Sequence, residues 1–454
     1  MEPLEGNMAS ASKLGTVSTR RQRIAELAKQ APQMGFTSMA YFIDLDWLRE
    51  AYQRTRKDGA TGVDGQTAAD YAANLEKNLQ ALLDRAKSGT YRAPPVRRVH
   101  IPKGTGTETR PLGIPTFEDK VLQRAVVMAL EPIYEQDFLP CSYGFRPERS
   151  AHQALEELWR QTMRVAGGWI LEVDIRKFFD TLDHAHLREL LRQRIRDGVL
   201  LRLIDKWLKA GVLEEGCLTH PEAGTPQGGV ISPLLANIFL HYVLDVWFEQ
   251  EVKPRLKGHA YLIRYADDFV IGFANERDAR RVLEVLPKRM AKYGLTLHPD
   301  KTRLVPFQRP SAQPSRGSSS GPGPQPGTFD LLGFCHYWGR SWRGYWVVKR
   351  KTMPSRFGRA LRKIAQWCRA SRHQPIPEQH RILSLKIIGH YGYFGITGNF
   401  EALHRFRDAV RRLWRRWLSR RSGGYDAMAW THFAALLQCY PLPPARVVHS
   451  IYRS

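Results

Sequence analysis

The sequence predicts a chain of mixed helices and strands, with an α/β or α+β core and a helical end. Three observations predict it. Short β-rich runs alternate with helical patterns from Tyr91 to about Leu304. The 454 residues are too many for one compact core, so two or three domains are expected. With 43% apolar and 25% charged residues the composition is that of a globular protein, which excludes collagen-like, wholly disordered and small disulfide-scaffold chains.

Met1 to Gly35 is polar and reads as a frayed extension, with a basic run at Arg20, Arg21 and Arg23. It has no apolar stretch of the secretory kind. A helical pattern follows over Leu45 to Tyr52, then a glycine-rich turn over Gly59 to Gly65. Leu75, Leu79, Leu82 and Leu83 recur at helical spacing, so Leu75 to Ala86 reads as a helix. Trp169 to Ile175 is a strand pattern. The longest apolar stretch, Val230 to Phe248, is interrupted by Pro233, Asn237, His241 and Asp245, and reads as a buried helix instead of a membrane span. Gln308 to Gly327 is nearly all Pro, Ser, Gly, Gln and Arg and cannot bury enough apolar surface to order itself; it reads as a flexible insertion within a domain. About Ser355 to Ser454 reads as helical. The five cysteines are scattered and contain no C-x-x-C pair, which argues against a disulfide framework or a cysteine-rich zinc site. A reducing, cytoplasmic location is expected.

Charge separates the chain into two parts. The whole carries +25 with a pI near 10.0, which suggests a polyanionic partner, nucleic acid before an anionic membrane. Arg340 to Ser454 holds 23 Lys and Arg against 4 Asp and Glu, a net +19, which leaves +6 for the first 339 residues. Such concentration suggests a binding surface. Phe406, Val410, Leu413, Trp414 and Trp417 make one apolar stripe, and Arg411, Arg412, Arg415 and Arg416 are expected to contact nucleic-acid phosphates from the remaining surface, rather than merely to be solvated.

The carboxylates point to chemistry. In Tyr261 to Phe273, YLIRYADDFVIGF, two β-rich arms flank Asp267 and Asp268, a hairpin with paired acids at its tip. An ordinary turn held by Asx hydrogen bonds is the competing reading. Asp174 closes the strand Trp169 to Ile175, on one face with Ile170 and Glu172. Three carboxylates on neighbouring strands repel unless a cation neutralises them, and oxygen donors without His or Cys select Mg²⁺ or Mn²⁺. Two such ions about 3.5–4 Å apart suit phosphoryl transfer. His184 and His186 lie near Asp183 where a turn enters a helix, and read as a cap or surface feature instead of metal ligands.

These strings resemble, in order, the blocks of the group II intron-encoded reverse transcriptase/maturases. YADD after a strand ending in Asp is similar to the palm of that family. Val99–Pro115, Ser142–Ser150, Gly224–Phe239, Gly294–Thr302 and Phe329–His336 resemble its other polymerase blocks. GVDGQT at Gly62–Thr67 and GHYGYFGITGN at Gly389–Asn399 resemble its upstream block and its maturase domain. The resemblance implies an α+β right-hand polymerase: fingers and palm over residues 41–354, the palm a small antiparallel sheet backed by helices, then a helical thumb/maturase domain over 355–454, with a flexible basic extension over 1–40. It implies metal ligands at Asp174, Asp267, Asp268 and the Ile175 carbonyl, holding two Mg²⁺ ions or Mn²⁺ in their place. Lys103 and Arg110 would contact the triphosphate, Phe178 or Phe179 would exclude a ribose 2′-OH, and Pro226, Gln227 and Gly228 would lie by the nascent base pair. The partners implied are an RNA template, the intron RNA, a DNA primer or target, and dNTPs, with no membrane. Many relatives end in an HNH endonuclease with paired cysteines; nothing here matches it, so none is expected. The activity implied is RNA-directed DNA synthesis combined with maturase binding of intron RNA. A splicing cofactor acting mainly by RNA binding, and a non-mobile relative recruited to host defence or DNA repair, are the alternatives.

Overall fold

The computed structural model describes residues 15–102, 109–214, 216–219, 224, 228–310, 326–421 and 428–450. Its first helix, α1 (Val17–Gln30), lies in the stretch expected to fray. Thr16 caps it, Ile24 and Ala28 are buried, and Arg20 donates to Asp44 at 2.7 Å. The polar composition misled because α1 needs only a narrow apolar stripe to dock on its neighbours. Helices α2 (Leu45–Arg54), α3 (Ala68–Ala72) and α4 (Leu75–Ser88) follow, α2 and α4 close to their expected places. Asp44 caps α2, and Thr67 and Asp70 form a reciprocal capping box on α3.

Strands β1 (Val96–Pro102) and β2 (Thr109–Ile114) form an antiparallel ribbon that leads into α5 (Phe117–Asp137). This helix is apolar almost all round and forms the middle of the largest core, with Val121, Leu122, Ala125, Val126 and Ile133 fully buried. After α6 (Ala151–Arg164) come β3 (Trp169–Asp174), α7 (Phe178–Thr181), α8 (His184–Arg192) and α9 (Gly198–Leu208). The short strands β4 (Val212–Glu214) and β5 (Cys217–Thr219) extend the first ribbon into a sheet ordered β2-β1-β4-β5. The long apolar stretch is indeed buried, but in two geometries: α10 (Ser232–Leu240) and a π-helical segment, His241–Val252.

Strands β6 (Ala260–Tyr265) and β7 (Asp268–Phe273), helix α11 (Glu276–Lys292) and strand β8 (Arg303–Pro306) complete a second sheet, ordered β6-β7-β3-β8 and antiparallel throughout. It is covered on both faces. Leu171, Val173, Leu262, Phe269 and Ile271 join the largest core, while Ile170, Tyr261, Ile263, Val270 and Val305 pack in a second cluster with Phe329 and Trp338. Those last two residues belong to a third sheet of β9 (Phe329–Leu331), β10 (Phe334–Arg340) and β11 (Trp346–Thr352), ordered β11-β10-β9. Most of the expected insertion lies outside the described residues. Its flanks meet: the Gly327 amide donates to the Pro306 carbonyl at 2.8 Å, and Phe307 packs edge-on against Phe329.

The end of the chain is helical, as expected: α12 (Pro354–Ala370), α13 (Ile376–Phe394), α14 (Phe400–Leu418) and α15 (Trp430–Cys439). They enclose a separate core around Ile364, Leu383, Phe406, Val410, Trp414 and Phe433. Among the described residues, no helix is long and apolar enough to cross a membrane.

Candidate active site

Ala266 and Asp267 alone connect β6 to β7, with Tyr265 opposite Asp268. Asp267 therefore occupies the turn, whereas Asp268, expected at the tip with it, is the first residue of β7. A two-residue hairpin loop of this kind needs a positive φ that glycine ordinarily supplies; Ala266 adopts +58°. Such a backbone costs on the order of 1–3 kcal/mol and persists only where its surroundings enforce it.

Here they do. Arg264, one of the last residues of β6, is wholly buried, and its side chain makes four hydrogen bonds. Its Nη1 donates to the Ala266 carbonyl at 3.0 Å and to Asn237 Oδ1 at 2.9 Å. Its Nε and Nη2 donate to the two oxygens of Asp245, at 2.7 and 2.5 Å, and both charged side chains are 0% exposed. Asn237, from α10, donates in turn to the Gly144 carbonyl at 2.7 Å. Gly144 lies so close to the turn that a Cβ there would meet the Ala266 nitrogen at 2.4 Å. The block around Gly144, α10 and the π-helical segment thus converge on one turn.

Strand β3 brings the third acid. Asp174 is paired in register with Asp268, Glu172 with Val270 and Ile170 with Gly272, so Asp174 and Asp268 leave the same face of the sheet. Carboxylates directly opposite one another repel. Burial among protein atoms, and then Asp267 and Asp174, push the Asp268 carboxyl up to about 7. Part of its surface nonetheless stays open to water. Asp267 is also raised, by burial first, while Arg110 opposes the rise. The backbone of Leu332, between β9 and β10, hydrogen-bonds Asp268 from the covering side. Glu172 is a structural acid: it pairs with Arg303 and accepts from the Asp330 amide at 2.5 Å.

A lysine completes the cluster. Lys301 Nζ lies 2.8 Å from Asp174 Oδ2. With Asp174 turned to this ammonium, no group of three His, Cys, Asp or Glu among the described residues is gathered tightly enough to grip a metal. In kind, however, the donor set fits a hard divalent cation: three carboxylates, no sulfur or imidazole, and a mutual repulsion that a positive charge relieves.

The remaining expected residues divide. Ile175 is buried and bridges to Leu297, directly after Asp174. Phe178 and Phe179 are both buried, Phe178 edge-on to Phe239 and the more enclosed of the two. Gly228 comes close to β2: a Cβ on it would lie 2.6 Å from the Gly113 carbonyl. Lys103, Pro226 and Gln227 lie outside the described residues. Asp183 caps α8 by accepting from the His186 amide, and His184 bonds to the Gly224 carbonyl, so both histidines are structural.

The four C-terminal arginines separate by helical position. Arg411 and Arg415, four residues apart on α14, sit over the Trp430 ring at 5.8 and 4.1 Å, and Arg415 also donates to the Met428 carbonyl. Arg412 and Arg416 stand about a quarter-turn further round the helix and are exposed to solvent, whereas Arg411 and Arg415 are half-buried. Motif reading passed over Arg264, Asp245, Asn237 and Lys301. A signal existed for three of them: polar residues inside strongly apolar runs are rarely buried without a partner.

Residues 101–335 match the family model described as reverse transcriptase (RNA-dependent DNA polymerase). Protein YkfC of Escherichia coli is 40% identical over 63% of this chain and 84% of its own length. Group II intron-encoded protein LtrA of Lactococcus lactis is 41% identical over 52% of this chain, which spans 40% of LtrA. Nuclear intron maturase 2, mitochondrial, of Arabidopsis thaliana is 28% identical over 42% of this chain. The matched region contains the acid-bearing sheet from β3 to β8, and with these relatives it settles the family: the chain belongs to the group II intron reverse transcriptases, RNA-directed DNA polymerases of mixed α+β, right-hand fold.

Proposed function

We propose that the protein extends a primer with dNTPs along an RNA template, and that Asp174, Asp267 and Asp268 form its metal-binding centre. The observation that carries this is the register of Asp174 opposite Asp268, with Asp267 held beside them in a clamped turn. In the reaction the primer 3′-OH attacks the α-phosphate of the dNTP and pyrophosphate leaves. Two Mg²⁺ ions, or Mn²⁺, bound by the three carboxylates and the Ile175 carbonyl would supply Lewis-acid activation of the attacking and leaving oxygens. Arg110, near Asp267, binds and orients the triphosphate. Lys103 and Gln227 are assigned to the triphosphate and the nascent base pair by motif position. The Phe178–Phe179 pair lines the floor where a 2′-OH would clash, with Phe179 the less enclosed ring. Residues 41–354 act as fingers and palm and 355–454 as thumb, while the 1–40 extension contributes α1.

A second activity is compatible with the first. The +19 end of the chain presents Arg412 and Arg416 to solvent, which supports binding of a structured intron RNA as a maturase. Primer extension on an RNA template in Mg²⁺ tests the first reading. The wild type is expected to extend and the Asp267→Ala, Asp268→Ala variant is not; equal extension by both would sink it.

A further inference from the structure

The hairpin of β10 and β11 does more than cover the sheet. One face is core: Phe334, His336, Trp338, Val348 and Arg350 are buried. The other face carries Tyr337 opposite Lys349, both half-buried, with the exposed Lys351 one pair further along, opposite the buried Cys335. Lys351 Nζ lies 5.1 Å from the Tyr337 ring. At the tip, Trp342 is 88% and Tyr345 65% exposed. A tryptophan that exposed gains nothing from burial within its own chain.

The tip is braced. Ser341 and Tyr345 exchange hydrogen bonds, the Gly344 amide donates to the Ser341 carbonyl, and Arg340 donates to the Gly344 carbonyl at 2.7 Å. Arg343 lies over the Trp342 ring at 4.6 Å and Arg340 over Trp346 at 4.2 Å. No acidic residue occurs between Phe334 and Thr352. At the root, Lys351 also lines a groove of about 570 Å³ with Phe357, Leu361, Arg405 and Arg412. Two exposed rings at the tip, an arginine against Trp342 and a hairpin segment that carries no acid of its own match the chemistry of a nucleic-acid strand with unstacked bases.

We propose that the Tyr337 face and the tip of this hairpin form a stacking platform for unpaired nucleotides, separate from the catalytic centre. Trp342 and Tyr345 stack bases, and Arg340, Arg343, Lys349 and Lys351 meet the phosphates. The root of β10 adjoins Leu332, which bonds Asp268. At roughly 3.3 Å per residue, the tip stands about 20 Å from that root, so a strand leaving the catalytic floor reaches it after on the order of six nucleotides. The inference rests on the polymerase reading for its biological setting, but its test needs no polymerisation.

The test is equilibrium binding of the full chain, at fixed salt, to a DNA primer on a template with a 2- or 15-nucleotide single-stranded overhang. The wild type is expected to bind the long overhang at least about tenfold tighter, the worth of one stacked base. Trp342→Ala, Tyr345→Ala abolishes that gain, and Trp342→Phe, Tyr345→Phe retains most of it. An abasic long overhang loses the gain with the wild type, which decides the question even if the alanine variant misfolds. RNA and DNA overhangs that both show the gain support recognition of bases and phosphates, and a gain on RNA alone supports stacking with an added 2′-OH interaction. The proposal is overturned if the alanine variant keeps the gain, if the abasic overhang binds as tightly, or if the substitutions weaken only binding to anionic vesicles. Failure of the wild type to extend any primer would instead remove the polymerase reading and leave these binding ratios standing.

Discussion

The acid-bearing sheet and the C-terminal helices use charge in opposite ways. In the sheet, charged groups have assigned partners at short range: Arg264 with Asp245, Arg303 with Glu172, Lys301 with Asp174. In the helical end the core is apolar, around Phe406, Val410 and Trp414, and cations such as Arg412 and Arg416 stand on its outside with few acids to meet them. The first arrangement holds particular atoms in particular places. The second spreads positive charge over a surface, where each cation contributes little by itself. One substitution should break the former, and only several should weaken the latter.

The largest effect is expected at the acids. Asp267→Ala should lower primer extension by at least about a thousandfold, the scale of several kcal/mol of missing charge stabilisation. RNA affinity, read by filter binding, should change little, since the arginines are untouched. A parallel fall in both would erase the contrast between the regions.

Next comes the clamp. Arg264→Leu leaves Asp245 buried and unpaired, a change that costs about 3–5 kcal/mol in comparable sites. Denaturant unfolding measures it. Replacing both partners, Arg264→Met with Asp245→Leu, should recover much of that stability while leaving the Ala266 carbonyl without its donor. Extension by that double variant should stay low, which separates positioning of the turn from stability.

Acid should loosen the helical end and the sheet that covers the acids through buried imidazoles. Burial lowers His336 to about 3 and His390 to about 4, from an ordinary value of 6.5. His336 is fully buried, stacked on Phe329, with neither ring nitrogen hydrogen-bonded. A folded value below the unfolded one means the folded state binds the proton less tightly. The stability is therefore whole above pH 6.5 and is lost as pH falls towards 3, at about 1.4 kcal/mol per pH unit for one proton. His336→Phe should flatten that acid limb in unfolding measured between about pH 4 and 7; an unchanged slope would show that His336 does not contribute.

The smallest effects belong to single arginines. Arg416→Ala should change stability by less than about 0.5 kcal/mol. Arg412→Glu with Arg416→Glu should weaken structured RNA several-fold and reduce the slope of log K against log salt by about 0.7–0.9 for each phosphate no longer neutralised. A larger drop in stability from either substitution would mean that these arginines are structural, like Arg415 over Trp430.

Much of this was legible in the residues. The alternation of Trp169 to Asp174 and the apolar arms around Asp267 and Asp268 announce strands, because side-chain direction in a strand follows from a period of two. The asymmetry of charge announces the basic end, because composition needs no fold to be counted. The N-terminal helix was not legible, since its few apolar residues acquire meaning only against α5. The clamp was not either: Arg264, Asp245, Asn237 and Gly144 are far apart in sequence, and the hydrogen bonds that join them are a property of packing. By itself, then, the sequence determined which chemistry the chain carries and which end is basic, through local pattern and net charge. Tertiary structure alone decided that Asp174 faces Asp268, that Lys301 reaches Asp174, that a buried arginine holds the turn, and which arginines remain turned outward to solvent, because each depends on segments that only folding brings together.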